Sequence, residues 1–284
     1  MVAAWSAPIL KSLVPDETWA QIKTALTDPT MSVDLATEIQ SRHGATGEVM
    51  GSFAFAGCYR FYRPRLRSLL GRGVDLSFGK QLDGISYDAP GSVTAHFADG
   101  TAATGRLLIG ADGARSRTRH LLLGPERTAL TQLPYFATFV YSRFPRAQAL
   151  YLRTAWNPLL NSFVHPNGKG AALLAVDTPD PARPEDWVFM AYISEKRSPL
   201  TDDIYAAMDR RDFLDRVRLV ARTFCDPVRA FFEWLPEGLE TVYFTPLAEW
   251  DPRKEEHVWD GQGGRVTLAG DAAHPMSFRE LSCD

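Results

Sequence analysis

The chain has 284 residues, 45% apolar and 23% charged, with 21 Gly and 19 Pro, which is ordinary globular usage and excludes a disordered, collagen-like or low-complexity protein. Lys plus Arg number 31 against 34 Asp plus Glu, a formal charge of -3, so the whole molecule offers no general attraction to nucleic acid or anionic lipid, and any anion site must be local. The three cysteines, Cys58, Cys225 and Cys283, cannot all pair within the chain and form no Cys-x-x-Cys, which disfavours a disulfide framework and a cysteine-built zinc site.

No apolar run approaches the roughly 20 residues a membrane span needs; runs such as Ala171 to Val176 are far shorter. The start, Met1 to Leu13, carries a single Lys11 and is interrupted by Pro8, so it has neither signal-peptide nor transit-peptide character, and the default expectation is a cytoplasmic protein. From Trp5 to Leu26 the apolar residues fall at helical spacing, with Pro15 separating two short helices and Asp16 a candidate cap for the second. Thr30 to Gly51 is polar and glycine-dotted, and reads as an irregular connection or a weak hairpin.

The segment Tyr62-Arg63-Pro64-Arg65-Leu66-Arg67-Ser68-Leu69-Leu70 places Pro64 in a first helical turn and Leu66, Leu69 and Leu70 on one face, with Gly71 and Gly73 ending the helix. Strands are expected at Val74 to Phe78, Gly84 to Tyr87 and Ser92 to Phe97, and Asp99-Gly100 turns the chain into a strand ending at Gly110. Pro125 to Leu133 looks like a boundary. Beyond it, Tyr135 to Phe144, Ala171 to Val176 and Trp187 to Ile193 suit a second, antiparallel sheet. Asp202 to Phe232 predicts one long helix, with Phe213, Leu214, Val217, Val220 and Phe224 on its apolar face.

Two segments carry chemistry. Arg106 to Gly110 is an apolar strand running into Ala111-Asp112-Gly113-Ala114-Arg115-Ser116 and a helix start; such a junction suits a nucleotide, because glycine allows close approach and a helix N-terminus favours negative charge. Asp112 can accept bonds from ligand hydroxyls or cap the helix, and Arg115 and Arg119 are spaced to share a helix face; an ordinary capped helix with two surface arginines fits the same residues. The second, Gly264 to Ala269, runs into Gly270-Asp271-Ala272-Ala273-His274-Pro275. There Asp271 can bind a ribitol or ribose hydroxyl and the two alanines leave room for a ligand, although Gly-Asp alone is a turn dipeptide and an isolated His274 is more often structural.

Together, Gly110 to Ser116 with Arg119, and Gly270 to Pro275, resemble the DG and GD motifs of the single-component flavin-dependent monooxygenases, the class of salicylate and para-hydroxybenzoate hydroxylases. The Tyr62 to Leu70 segment resembles the family's Arg-x-x-Leu segment, in which Arg63 would contact FAD. The resemblance implies an α/β fold: an incomplete Rossmann-like FAD-binding domain (1–125 with 251–284) and an inserted α+β substrate domain with an antiparallel sheet (126–250). It implies FAD and NAD(P)H as cofactors, O2 and a small molecule as reactants, and transfer of one oxygen atom through a flavin C4a-hydroperoxide to an aromatic or other electron-rich substrate. Implied cofactor contacts are Arg63, Gly110, Asp112, Gly113, Arg115, Gly270, Asp271, Ala272, Ala273, His274 and Pro275. Asp271 would hold the ribityl and pyrophosphate portion of FAD, and Asp112 and Gly113 would serve FAD and NAD(P)H. The substrate would lie against the second sheet, with Tyr135 to Tyr141 and Trp187 to Tyr192 as candidate walls.

No Gly-x-Gly-x-x-Gly loop opens the chain and it ends shortly after the GD segment, so truncation at both ends is expected, the start lying roughly fifty residues inside the fold. A non-catalytic remnant that binds a small molecule or partner without flavin is the alternative. A serine hydrolase is excluded by the lack of Gly-x-Ser-x-Gly. His43, His96, His120, His165, His257 and His274 are scattered without a His-x-x-x-His pair, which weighs against metal-dependent hydrolysis. The arginines at 60, 63, 65, 67, 72, 115, 117 and 119 do not make a nucleic-acid module on a chain of net negative charge.

Overall fold

The computed structural model describes residues 2–3, 6–31, 37–55, 59–88, 90–155, 157, 160–198, 210–239 and 242–276. They fall into two compact units, Met1–Val74 with Pro134–Thr245 and Asp75–Leu133 with Pro246–Asp284. The division drawn from sequence sets 1–125 with 251–284 apart from 126–250; in the structure residues 1–74 group with 134–245.

After a short strand β1 (Val2–Ala3), Pro8 occupies the first turn of α1 (Ala7–Leu13), where a missing N–H removes no helical bond. Pro15 separates α1 from α2 (Asp16–Ala20) as the sequence predicts. Asp16 does not cap α2: it sits inside the first turn, behind Pro15, and makes no capping bond there. The polar stretch after Thr30 forms a hairpin of β2 (Thr37–His43) and β3 (Val49–Phe55), antiparallel from Thr37↔Phe55 to Arg42↔Val49. Next come β4 (Tyr59–Arg60), which pairs with β1, and α3 (Arg63–Leu70), with Pro64 in its first turn. Leu66 and Leu69 of α3 bury against Ile22, Ala25, Leu26 and Phe61, and Gly71 ends the helix.

The strand expected at Val74 to Phe78 does not form. Those residues belong to no described sheet, and Val74, Leu76 and Phe78 are exposed; β-favouring side chains alone do not make a strand without a ladder partner. β5 (Leu82–Ser86), β6 (Val93–Phe97) and β7 (Ala102–Gly105) make a three-stranded antiparallel sheet. The Asp99-Gly100 turn, with Gly100 at φ +81°, leads into β7; β8 (Leu108–Gly110) is a separate strand in another sheet, so the run to Gly110 is two strands.

α4 (Arg117–Arg127) is kinked at Gly124 and Pro125. Next in the chain are β9 (Thr131–Ser142), α5 (Arg146–Thr154), β10 (Asn161–Val164), β11 (Gly170–Asp177) and β12 (Val188–Lys196). α6 (Arg210–Ala221) and α7 (Val228–Glu233) take the place of the single long helix expected over Asp202 to Phe232, of which residues 202–209 lie outside the described residues. The break spans residues 222–227: the first helix ends at Ala221, and Pro227, which cannot donate a helical bond, stands at the N-cap of the second. The predicted apolar face is otherwise correct: Leu214, Val217, Val220 and Phe224 are buried with Phe163, Leu173, Phe189 and Ile193, while Phe213 is half-buried against Phe244.

β13 (Val242–Glu249) and β14 (Val266–Leu268) complete the strands. The large sheet has the order β13-β9-β12-β11-β10-β2-β3. Its β9, β12 and β11 are antiparallel as expected and β10, not expected from sequence, pairs antiparallel with β11, but β2 runs parallel to β10, so the sheet is mixed. Strand alternation sends Val140, Phe163, Leu173, Phe189 and Ile193 into the helix-covered core and leaves Phe139, Tyr141, Met190 and Tyr192 half-buried. Cys225 is a free, half-buried thiol; Cys58 and Cys283 lie outside the described residues. No helix among the described residues is long and apolar enough to cross a membrane.

Candidate functional site

In the unit of residues 75–133 and 246–276, β8 and β14 run parallel in the register Leu108↔Val266, Ile109↔Thr267 and Gly110↔Leu268. Both strands therefore end at the same edge, and the amide of Ala269 donates to the Gly110 carbonyl at 2.9 Å. The turns leaving these strands, Gly110–Ser116 and Gly270–Pro275, are brought side by side although they are distant in the chain. Gly110 is required by packing: a Cβ there would lie 2.6 Å from the Thr118 side chain. Gly113 (φ +86°) and Gly270 (φ +59°) adopt left-handed conformations in open space.

Of the two roles open to Asp112, the structure shows the cap. Its carboxylate accepts from Ser116 Oγ at 2.5 Å and from the Thr118 amide and hydroxyl at 2.9 and 3.0 Å, while Ser116 Oγ accepts from the Arg119 amide at 2.9 Å. Desolvation would raise the Asp112 pKa, but these donated bonds outweigh it and hold the carboxyl below its ordinary value.

Arg115 and Arg119 do not share a helix face. Arg115 is exposed and precedes α4, whereas Arg119 is inside α4 and 1% exposed, so the surface-arginine reading fails for it. The Arg119 guanidinium donates to the Ala114 carbonyl at 2.6 Å, to Ala272 at 2.8 Å and to Asp271 at 3.4 Å, and lies 4.7 Å from the centroid of the Trp250 ring. One buried cation thus joins the two turns. Burial lowers its pKa and the Asp112 charge opposes that.

Gly270–Ala272 is a single 3-10 turn. Asp271 is exposed and makes no side-chain hydrogen bond among the described residues, so its carboxylate is available to a ligand. The two alanines serve packing: Ala272 and Ala273 are buried with Leu268 against Leu122 and Trp259, and larger side chains would push the turn off the strands. His274 is exposed, and its amide donates to Gly270; Pro275 is buried and its carbonyl accepts from the Trp250 amide at 3.2 Å. Arg63, exposed in the first turn of α3, belongs to the other unit. Trp250, which ties to both Arg119 and Pro275, has no signal in the sequence; Thr118 and Ser116 stand where a strand-turn-helix reading looks for capping residues.

The unit of the large sheet has a cavity of about 710 Å³ lined by Tyr141, Ser142, Arg143, Val188, Pro236, Leu239 and Tyr243. The Tyr141 and Tyr243 rings meet edge-on with centroids 5.9 Å apart. Burial pushes the Tyr141 hydroxyl above its usual pKa; Tyr243 adds to this and Arg63 opposes it. Of the candidate walls, Tyr141 and Val188 line this space, while Phe136, Trp187 and Phe189 are core.

The FAD-dependent monooxygenase dbaB of Emericella nidulans is 32% identical over 297 residues, covering 96% of this chain and 69% of the relative. The chain belongs to the FAD-dependent monooxygenases. The monooxygenase cctM of Talaromyces islandicus is 34% identical over 280 residues, covering 96% of this chain and 66% of the relative, so the chain spans about two thirds of the length of the curated relatives it matches. Among solved structures, 2,6-dihydroxypyridine-3-hydroxylase of Arthrobacter nicotinovorans shares the fold with a TM-score of 0.64 at 19% identity, covering 95% of this chain and 65% of that one. Klebsiella pneumoniae HpxO, solved with FAD and uric acid, gives 0.62 at 23%, covering 85% and 57%. No family model matches the chain.

Proposed function

We propose that this chain holds FAD at the paired turns and takes part in an NAD(P)H-dependent oxygenation that hydroxylates or epoxidises an aromatic or other electron-rich small molecule. The observation that carries the reading is the parallel β8–β14 register, which sets an uncommitted Asp271 carboxylate beside the Gly110–Gly113 turn. Bound FAD supplies the hard chemistry: reduced by NAD(P)H, it activates O2 for transfer of one oxygen atom to the substrate.

The protein's residues bind, orient and exclude water. Asp271 accepts from ribityl hydroxyls in charge-assisted bonds, with Gly270, Ala272, Ala273, His274 and Pro275 forming the backbone around it. Gly110, Asp112, Gly113 and Arg115 form the neighbouring wall, where Asp112 acts by holding the α4 terminus in place and Arg115, exposed, is free to meet phosphate. Arg63, by the family resemblance, offsets phosphate charge. The substrate occupies the cavity on the large sheet, where Val188, Pro236 and Leu239 exclude water, the hydroxyls of Tyr141 and Tyr243 orient polar substituents, and Arg143 favours an acidic group. No side-chain nucleophile is required.

Titration of the purified chain with FAD tests the reading: flavin fluorescence should be quenched, and NADH or NADPH oxidation should accelerate when phenolic compounds are added. Flavin fluorescence that stays unchanged through the titration would favour the flavin-free remnant instead.

A further inference from the structure

Trp250 lies just after β13 and is among the largest fully buried side chains, 1% exposed. Its partners come from α4, the 270–275 turn and the segment around His257. Its amide donates to the carbonyl of Pro275 at 3.2 Å, and its indole Nε1–H donates to the carbonyl of Arg127, at the end of α4, at 2.9 Å. The Arg119 guanidinium lies 4.7 Å from its ring centroid. The imidazole of His257 stacks on it at 4.3 Å with 17° between the planes, and is itself held by Nδ1–H donating to the Asp251 carbonyl at 2.6 Å. Trp250 also shares with His274 and Pro275 the lining of a cavity of about 330 Å³.

A buried guanidinium needs compensation for lost water. Arg119 spends its terminal N–H groups on the carbonyls of Ala114, Ala272 and Asp271, and its Nε has no hydrogen-bond partner. Besides the Asp112 charge, the electron-rich indole face is a further favourable contact for this cation, and it fixes the direction in which the guanidinium reaches the 270–275 turn. The ring in turn cannot shift freely, because His257 and the Arg127 carbonyl hold it.

We propose that Trp250 is a positioning residue for the nucleotide: by holding Arg119 on the Ala272 and Asp271 carbonyls, it sets the backbone of the turn that presents the Asp271 carboxylate. This rests on the reading that FAD binds at these turns. Trp250 acts on the ligand through Arg119 and the turn rather than by direct contact.

The test is a double-substitution cycle read by FAD titration of the full chain, with circular dichroism and thermal unfolding as folding checks. Trp250→Leu should weaken FAD binding about tenfold or more, Trp250→Phe, which keeps an aromatic face while losing the Nε1–H bond and part of the ring, should recover most of the affinity, and Trp250→Leu combined with Arg119→Lys should be little worse than the poorer single variant. A folded Trp250→Leu chain that binds FAD like the unsubstituted one overturns the proposal, as does a Phe variant as weak as the Leu variant, or effects of Trp250→Leu and Arg119→Lys that multiply. If Trp250→Leu does not fold, the cycle runs on Trp250→Met, which also removes the aromatic face, with Arg119→Lys, and multiplying effects there overturn it. An unsubstituted chain that does not bind FAD overturns the functional reading together with this one; binding by that chain with an unaffected Leu variant overturns only the role of Trp250.

Discussion

The two turns at the ends of β8 and β14 are built from nearly the same residues, a glycine, an aspartate and small neighbours, yet their aspartates have opposite fates. Asp112 is consumed by Ser116 and Thr118, whereas Asp271 makes no side-chain hydrogen bond among the described residues. The difference comes from the element each turn feeds. β8 leads into α4, whose first amides need acceptors; β14 leads into one 3-10 turn, Gly270–Ala272, which has few amides to satisfy. An acidic residue after a strand is thus spent on a helix terminus or left uncommitted according to the length of the helix it precedes.

That contrast can be broken most forcefully at the residue joining the turns. Arg119→Met leaves the Ala114 and Ala272 carbonyls without their donor in a buried setting, and should cost about 3 kcal/mol in chemical denaturation; a loss below about 1 kcal/mol, the net value of one ordinary hydrogen bond, would mean the bridge is not needed. The glycines should separate next. Gly110→Ala forces a methyl against Thr118 and should destabilise by about 2 kcal/mol, whereas Gly270→Ala meets open space and bears only the left-handed backbone penalty of about 1 kcal/mol. Equal losses at the two positions would remove the packing distinction.

The aspartates sharpen the comparison further. Asp112→Ala should cost about 1 kcal/mol, the usual value of a helix cap. Because the folded-state pKa of Asp112 is depressed, this contribution is fully present above the unfolded carboxyl pKa and disappears as pH falls through the folded one. Thermal unfolding of the parent and the variant should therefore converge at low pH, and a gap that persists in strong acid would refute the assignment. Asp271→Ala should leave stability within about 0.5 kcal/mol while weakening FAD binding about tenfold, so the smallest structural effect carries the larger effect on the ligand.

Local signals were readable wherever the residues that decide them are adjacent. Pro15 and Pro64 mark a helix break and a helix start, Asp99-Gly100 marks a turn, alternation marks β6, and β-branched and aromatic content marks β9 and β12. Pro227 was equally visible, and the long-helix reading failed by letting a run of apolar spacing outweigh it. Val74 to Phe78 failed for the opposite reason: the residues suit a strand, but no described strand forms a ladder with them. The β2–β3 hairpin was faint because β2 (Thr37–His43) is mostly polar although it lies between β10 and β3 in the sheet, so its composition carries little strand signal.

The primary structure alone was enough to establish the two acid-bearing turns, their order and the family they resemble, since each depends on a few consecutive residues. It could not tell a surface arginine from the buried Arg119, nor assign any role to Trp250, nor say which aspartate remained uncommitted. Those outcomes depend on partners far along the chain, such as the Ala272 carbonyl for Arg119 and the Arg127 carbonyl for Trp250, and the parallel pairing of β8 with β14 is what brings the two turns within bonding distance.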